Sequence, residues 1–194
     1  MQGRELRGKE LISKRQRILT GHYCDGGTFN YTEAERFVRL CGIGDLESVT
    51  IALQKEGDER QEKIGVRRLG SREVSKEQID EGLLEALKNN CNAVAKVLLK
   101  SYNADVNSEG GHGRNALHIA VWANNTEGTK LLLSHPSLTS MNDEDNWGYT
   151  PAMWGIVNNQ MKCLPLLLDD LRVDLYARLG ILLSFVENPN ILKI

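Results

Sequence analysis

Apolar side chains recur along this chain at helical spacing, in blocks that themselves recur at a nearly constant interval. One block runs from Gly113 to Leu133; it opens Gly113-Arg114-Asn115-Ala116-Leu117-His118-Ile119-Ala120 and closes Lys130-Leu131-Leu132-Leu133. A second runs from Gly148 to Leu168; it opens Gly148-Tyr149-Thr150-Pro151-Ala152-Met153-Trp154-Gly155 and closes Pro165-Leu166-Leu167-Leu168. The two glycines stand 35 positions apart. A period of this length marks a stacked repeat, in which a hairpin of helices cannot bury both apolar faces alone and covers them with its neighbours.

The same layout extends upstream. Leu83 to Leu99 forms a similar apolar block, followed by Ala104-Asp105-Val106-Asn107 leading toward the next hairpin. Asn90, Asn124 and Asn159, at intervals of 34 and 35, begin the turns between helices. Further back, Phe37, Val38, Leu40 and Cys41 make an apolar stripe, Gly42-Ile43-Gly44 makes the turn, and Leu46, Val49, Ile51 and Leu53 continue the pattern. Thr32 with Glu35, and Ser75 with Gln78, have the spacing of capping boxes, and Asp45 is placed to cap a second helix. Pro151 suits a first helical position, where its missing N–H has no partner to lose, with Thr150 as the cap before it.

These signals predict an all-α fold of four helix–turn–helix units, each with a short first helix and a longer, apolar second one. The units span about 29–54, 75–107, 108–141 and 142–176, with a partial one at 177–194. A charged, Gly-containing insertion at 55–74 reads as an exposed loop. The triplets Leu131–Leu133 and Leu166–Leu168 are the expected shared core. Pro165 falls inside the predicted last second helix, where it should remove a hydrogen bond and kink the helix.

The units resemble ankyrin repeats, whose unit is a β-turn and two helices with Thr-Pro-Leu-His-x-Ala opening the first. Asn115-Ala116-Leu117-His118-Ile119-Ala120 keeps the Leu, His and Ala of that motif, and Thr150-Pro151-Ala152-Met153-Trp154-Gly155 keeps the Thr and Pro. The resemblance is strongest over 105–176 and rests on layout alone in the first two units. It implies an ankyrin-type solenoid that binds another protein through its hairpin tips and the exposed face of its first helices. It also implies that His118 bonds backbone of the neighbouring hairpin. By position, the tips are Gly111, His112 and Arg114, then Asn146, Trp147 and Tyr149; the helix-face positions are Trp122 and Ala123, Val157 and Asn158, and Lys88 and Asn89. The candidate contact set is therefore His112, Arg114, Trp122, Asn146, Trp147, Tyr149 and Asn158, with Trp154 assigned to the core. Tryptophan and tyrosine are enriched among residues that dominate interface energy.

Composition narrows the function further. The 194 residues carry a formal net charge of -2, which argues against general affinity for nucleic acid or acidic membranes. Residues 1–28 read as a flexible arm, basic over its first twenty positions through Arg4, Arg7, Lys9, Lys14, Arg15 and Arg17. The four cysteines (Cys24, Cys41, Cys91 and Cys163) are scattered, as small hydrophobes are in a reducing compartment, and have no zinc-site spacing. No secretory leader or membrane-length apolar run is expected, so the chain reads as intracellular, cytoplasmic or nuclear. No nucleophile elbow, phosphate-binding loop or His-Glu-x-x-His is present, so no catalytic residue, cofactor or metal is assigned. Asp143, Glu144 and Asp145 lack the spaced ligands of a calcium loop and read as a solvated tip, and Asp169-Asp170 as a surface pair. The sequence thus predicts a non-catalytic protein-interaction module. A regulatory or recognition fragment of a larger multidomain protein, and nucleic-acid binding through the basic arm, stand as alternatives.

Overall fold

In a computed structural model of the chain, residues 33–53, 74–160 and 162–174 are described. They form eight α-helices in four consecutive hairpins. The helices are α1 (Glu33–Ile43), α2 (Leu46–Leu53), α3 (Lys76–Lys88) and α4 (Asn92–Ser101), then α5 (Ala116–Trp122), α6 (Thr126–Leu133), α7 (Pro151–Val157) and α8 (Leu164–Leu168). The basic arm, Thr32, residues 55–73 of the insertion and the partial unit 177–194 lie outside the described residues.

One device closes every hairpin. The first helix ends in a residue of left-handed backbone: Gly44 (φ 75°), Asn90 (φ 60°), Asn124 (φ 51°) or Asn159 (φ 54°). The following N–H then bonds back to a carbonyl of the helix just ended, from Asp45 to Leu40 (3.3 Å), Cys91 to Ala86, Asn125 to Ala120 and Gln160 to Gly155 (each 2.8 Å). Glycine and asparagine are the residues that tolerate this conformation, which is why they recur at this place in the period. Caps start the helices as the sequence predicts. Ser75 and Gln78 form a complete capping box on α3. Asp45 accepts from Ser48 N (3.2 Å) ahead of α2, and Thr150 accepts from Met153 N (3.3 Å) ahead of α7.

The chain divides into two units at Ala104/Asp105. In the N-terminal one, α1 packs on α3 and α3 on α4, burying Phe37, Leu40, Cys41, Leu83, Leu87, Val94 and Leu98. In the C-terminal one, α5 packs on α7, burying Leu117, Ala120, Val121, Leu132, Met153, Cys163 and Leu167.

Three expectations change. The second helix is the longer one in the third hairpin alone, where α6 has 8 residues against 7 in α5; elsewhere it is the shorter, with 8 against 11 in α2 and α1, 10 against 13 in α4 and α3, and 5 against 7 in α8 and α7. Only the central leucine of each triplet, Leu132 and Leu167, is fully buried. Three consecutive residues fan out around a helix, so one alone points at the core. Pro165 does not interrupt a helix either. α8 starts at Leu164, and the proline sits in its first turn, where its missing N–H costs no helical hydrogen bond.

Candidate functional site

The C-terminal unit joins its hairpins by extended tips whose positions repeat at the period of 35, so that His112 corresponds to Trp147, Gly113 to Gly148 and Arg114 to Tyr149. Within the first tip, Glu109 and Asn115 form an isolated antiparallel bridge, and Gly110 N donates to Arg114 O (2.8 Å). His112 and Gly113 both take positive φ, 69° and 68°. The two tips are joined by the bond from Asn146 N to His112 O (3.0 Å).

Below the tips, His118 fixes the base of both hairpins. It is fully buried on α5. Its Nδ1 accepts from Asn115 N (3.3 Å) while Asn115 Oδ1 accepts from His118 N (3.0 Å), a reciprocal capping box. Its Nε2 stands 2.8 Å from the Tyr149 carbonyl. An amide donor on one nitrogen and a carbonyl acceptor on the other select the neutral tautomer protonated at Nε2. Burial pushes the imidazole pKa below its ordinary value, against the opposing pull of the Tyr149 carbonyl and of Asp145. Both ring nitrogens are occupied, so His118 holds structure, as the resemblance implied, and has no free nitrogen for acid–base work.

Asp145 is the residue the sequence reading missed. Expected in a solvated cluster, it is only 5% exposed. Its Oδ1 accepts from Trp147 N and Tyr149 N (3.0 Å each), and its Oδ2 from Trp154 Nε1 (2.7 Å). Burial alone raises this carboxyl's pKa, but those donors and the nearby His118 outweigh it and hold the value below the usual carboxylate range. An aspartate that bonds backbone two residues on, ahead of a Gly, is a turn former, and Asp145-Asn146-Trp147-Gly148 carried that signal. Asp143 and Glu144 are exposed, as expected.

Arg114 lies across the same carboxylate. Its Nε is 3.7 Å from Asp145 Oδ2, an ion pair too long for a hydrogen bond. Its guanidinium carbon stands 4.9 Å from the Trp147 ring centroid and 4.4 Å from that of Trp154. His112 lies 4.9 Å from Trp147, and Tyr149 lies 5.7 Å from Trp154. Five of the candidate contact residues, His112, Arg114, Asn146, Trp147 and Tyr149, therefore meet in one cluster at the tips. Arg114 and Tyr149 are half-buried within it and serve its framework, as does the half-buried Trp154, which was expected in the core.

Trp122 and Asn158 stand apart from that cluster, at the ends of α5 and α7. Trp122 is 43% exposed and Trp147 is 52% exposed, with Val157 also open to solvent beside Asn158. Gln160 Nε2 donates to the Trp122 carbonyl (3.1 Å), which ties the two helix ends together and leaves the indole outside. Neither α5 nor α7 carries an Asp, Glu, Lys or Arg. Lys88 and Asn89, in the N-terminal unit, are exposed as well.

Among the described residues no group of three or more His, Cys, Asp or Glu is arranged to hold a metal ion, and no helix is long and apolar enough to cross a membrane. Helical hairpins of one period, closed by left-handed turns and tied at extended tips, define a helical repeat protein. Residues 83–178 match the family model for ankyrin repeats in 3 copies, and the chain belongs to that family. No curated protein matches it. Ankyrin repeats generally serve as protein–protein interaction modules and are typically non-catalytic.

Proposed function

We propose that this chain is a non-catalytic scaffold or adaptor that holds a protein partner on the hairpin tips and first-helix ends of its C-terminal unit. The observation that carries the reading is the exposure of Trp122 at the end of α5 and of Trp147 on the second tip. Large apolar side chains left open on an ordered surface are what binding faces present before a partner covers them. His112, Asn146 and Asn158 supply polar groups beside them, while Arg114 packs on Trp147 and Tyr149 on Trp154. An intracellular setting, cytoplasmic or nuclear, fits the free thiols of Cys41, Cys91 and Cys163.

The test is the double substitution Trp122→Ala/Trp147→Ala. Both indoles are substantially solvent-exposed, so the melting temperature is expected to fall by no more than about 4 °C. Partner capture, read by pull-down with the wild-type chain in parallel, is expected to drop at least about tenfold. Undiminished capture by a well-folded double variant rejects the reading.

A further inference from the structure

The charge on this surface is one-sided, and that narrows the partner. The one arginine of the tips, Arg114, is half-buried and already faces the Asp145 carboxylate. The exposed acidic groups are Glu109 on the first tip and Asp143 and Glu144 on the second. Glu109 and Glu144 stand 35 positions apart, so successive hairpins present a carboxylate at the same place in the repeat. The adjoining helices α5 and α7 add no charge, only the open apolar side chains of Trp122 and Val157. The surface thus combines acidic groups on the tips with the open side chains of Trp147, Trp122 and Val157, and neither tip and neither helix contains a lysine.

We infer that the partner presents a basic peptide segment, with lysine or arginine side chains against the tips and apolar side chains on Trp122 and Val157. The inference rests on the reading of this face as protein-binding and adds the chemistry of what it binds. Complementary charge sets orientation and suppresses wrong partners, since an acidic segment would bring like charges together at the tips. Cationic side chains also gain from the exposed indole of Trp147, as Arg114 already does within the chain.

The experiment selects displayed random peptides, about sixteen residues long, on the full chain. Binders are then measured by fluorescence anisotropy against wild type, Glu109→Gln/Asp143→Asn/Glu144→Gln and Trp122→Ala/Trp147→Ala. Selected peptides are expected to carry Lys and Arg at least about threefold over Asp and Glu. The carboxylate variant should bind them at least about tenfold more weakly, and raising NaCl from about 50 to about 300 mM should weaken the wild type but scarcely the variant. Selected peptides that are acidic or uncharged, or affinities within about twofold in the carboxylate variant, overturn the inference and leave the binding face standing. A chain that dimerises through the two tryptophans assigns the face to a second copy and also overturns it. Peptides that bind the folded tryptophan variant as well as wild type reject the face itself.

Discussion

Asp145 gathers three donors and faces one cation from a position that reads, in sequence, as the end of an acidic run. Acidic runs are ordinarily solvated because a carboxylate is costly to bury without donors. Here the donors come from the turn that the residue itself makes and from an indole nine positions on. The turn was legible in the spacing to Gly148; the indole was not, because it needs α7 folded beneath the tip. Asp145→Asn separates these roles. An amide oxygen still accepts from Trp147 N and Tyr149 N, but the amide nitrogen then confronts the Trp154 donor, and Arg114 loses its counter-charge. The variant is expected to lose on the order of 2–3 kcal/mol of stability by urea denaturation, against the penalty typical of a buried donor left unmatched. Its Trp154 fluorescence should shift with that of Trp147, since both rings pack on Arg114. The bond of His118 to backbone of the neighbouring hairpin was implied by the family resemblance, whereas its reciprocal cap with Asn115 was not read.

At the scale of the element, what could be read was whatever local chemistry decides. The left-handed turns were visible as Asn90, Asn124 and Asn159 at the repeat interval and as Gly44 in Gly42-Ile43-Gly44, and the caps as Ser75, Asp45 and Thr150, because each acts within a few residues of itself. Helix lengths and burial were not, since both depend on the neighbouring hairpin. Pro165 was placed inside a helix that in fact begins there, and the leucine triplets were counted as core whole. The difference is measurable. Leu132 is fully buried on α6, whereas Leu168 on α8 is 47% exposed. Leu132→Ala is expected to cost about 3 kcal/mol, the transfer term plus a cavity. Leu168→Ala should stay within about 0.5 kcal/mol. Equal losses in paired thermal melts would contradict the assignment of one core leucine per triplet.

For the molecule as a whole, composition gave the net charge but not where it lies, and the folded tips show how position decides response. His118 and Asp145, both buried in the C-terminal unit, act in the same direction on pH. Burial lowers the His118 pKa, helped by Arg114 and opposed by the Tyr149 carbonyl, Asp145 and Asp143. The unfolded chain therefore takes up a proton on this imidazole before the folded one does. Its contribution is complete above the free-imidazole value of about 6.5 and is lost as pH falls below it. Protonation at Nδ1 also removes the acceptor for Asn115 N, which opens the capping box of α5. Asp145, held below its ordinary value by its donors despite its burial, contributes fully above about pH 3.9 and loses that contribution as pH falls toward its folded pKa. Asp170, lowered by its bond and ion pair with Arg172, joins this second step, weakened by solvent screening. Acidification should therefore lower the melting temperature in two stages, one beginning near pH 6.5 and one below about pH 4. Circular dichroism melts from about pH 8 to pH 3 would resolve them. His118→Gln, which keeps a donor for the Tyr149 carbonyl but cannot charge, should flatten the upper stage alone, and Asp145→Asn should shrink the lower one, leaving the part that Asp170 contributes. A wild-type melting temperature that stays level between about pH 7 and pH 5 would mean that the buried imidazole carries no such linkage.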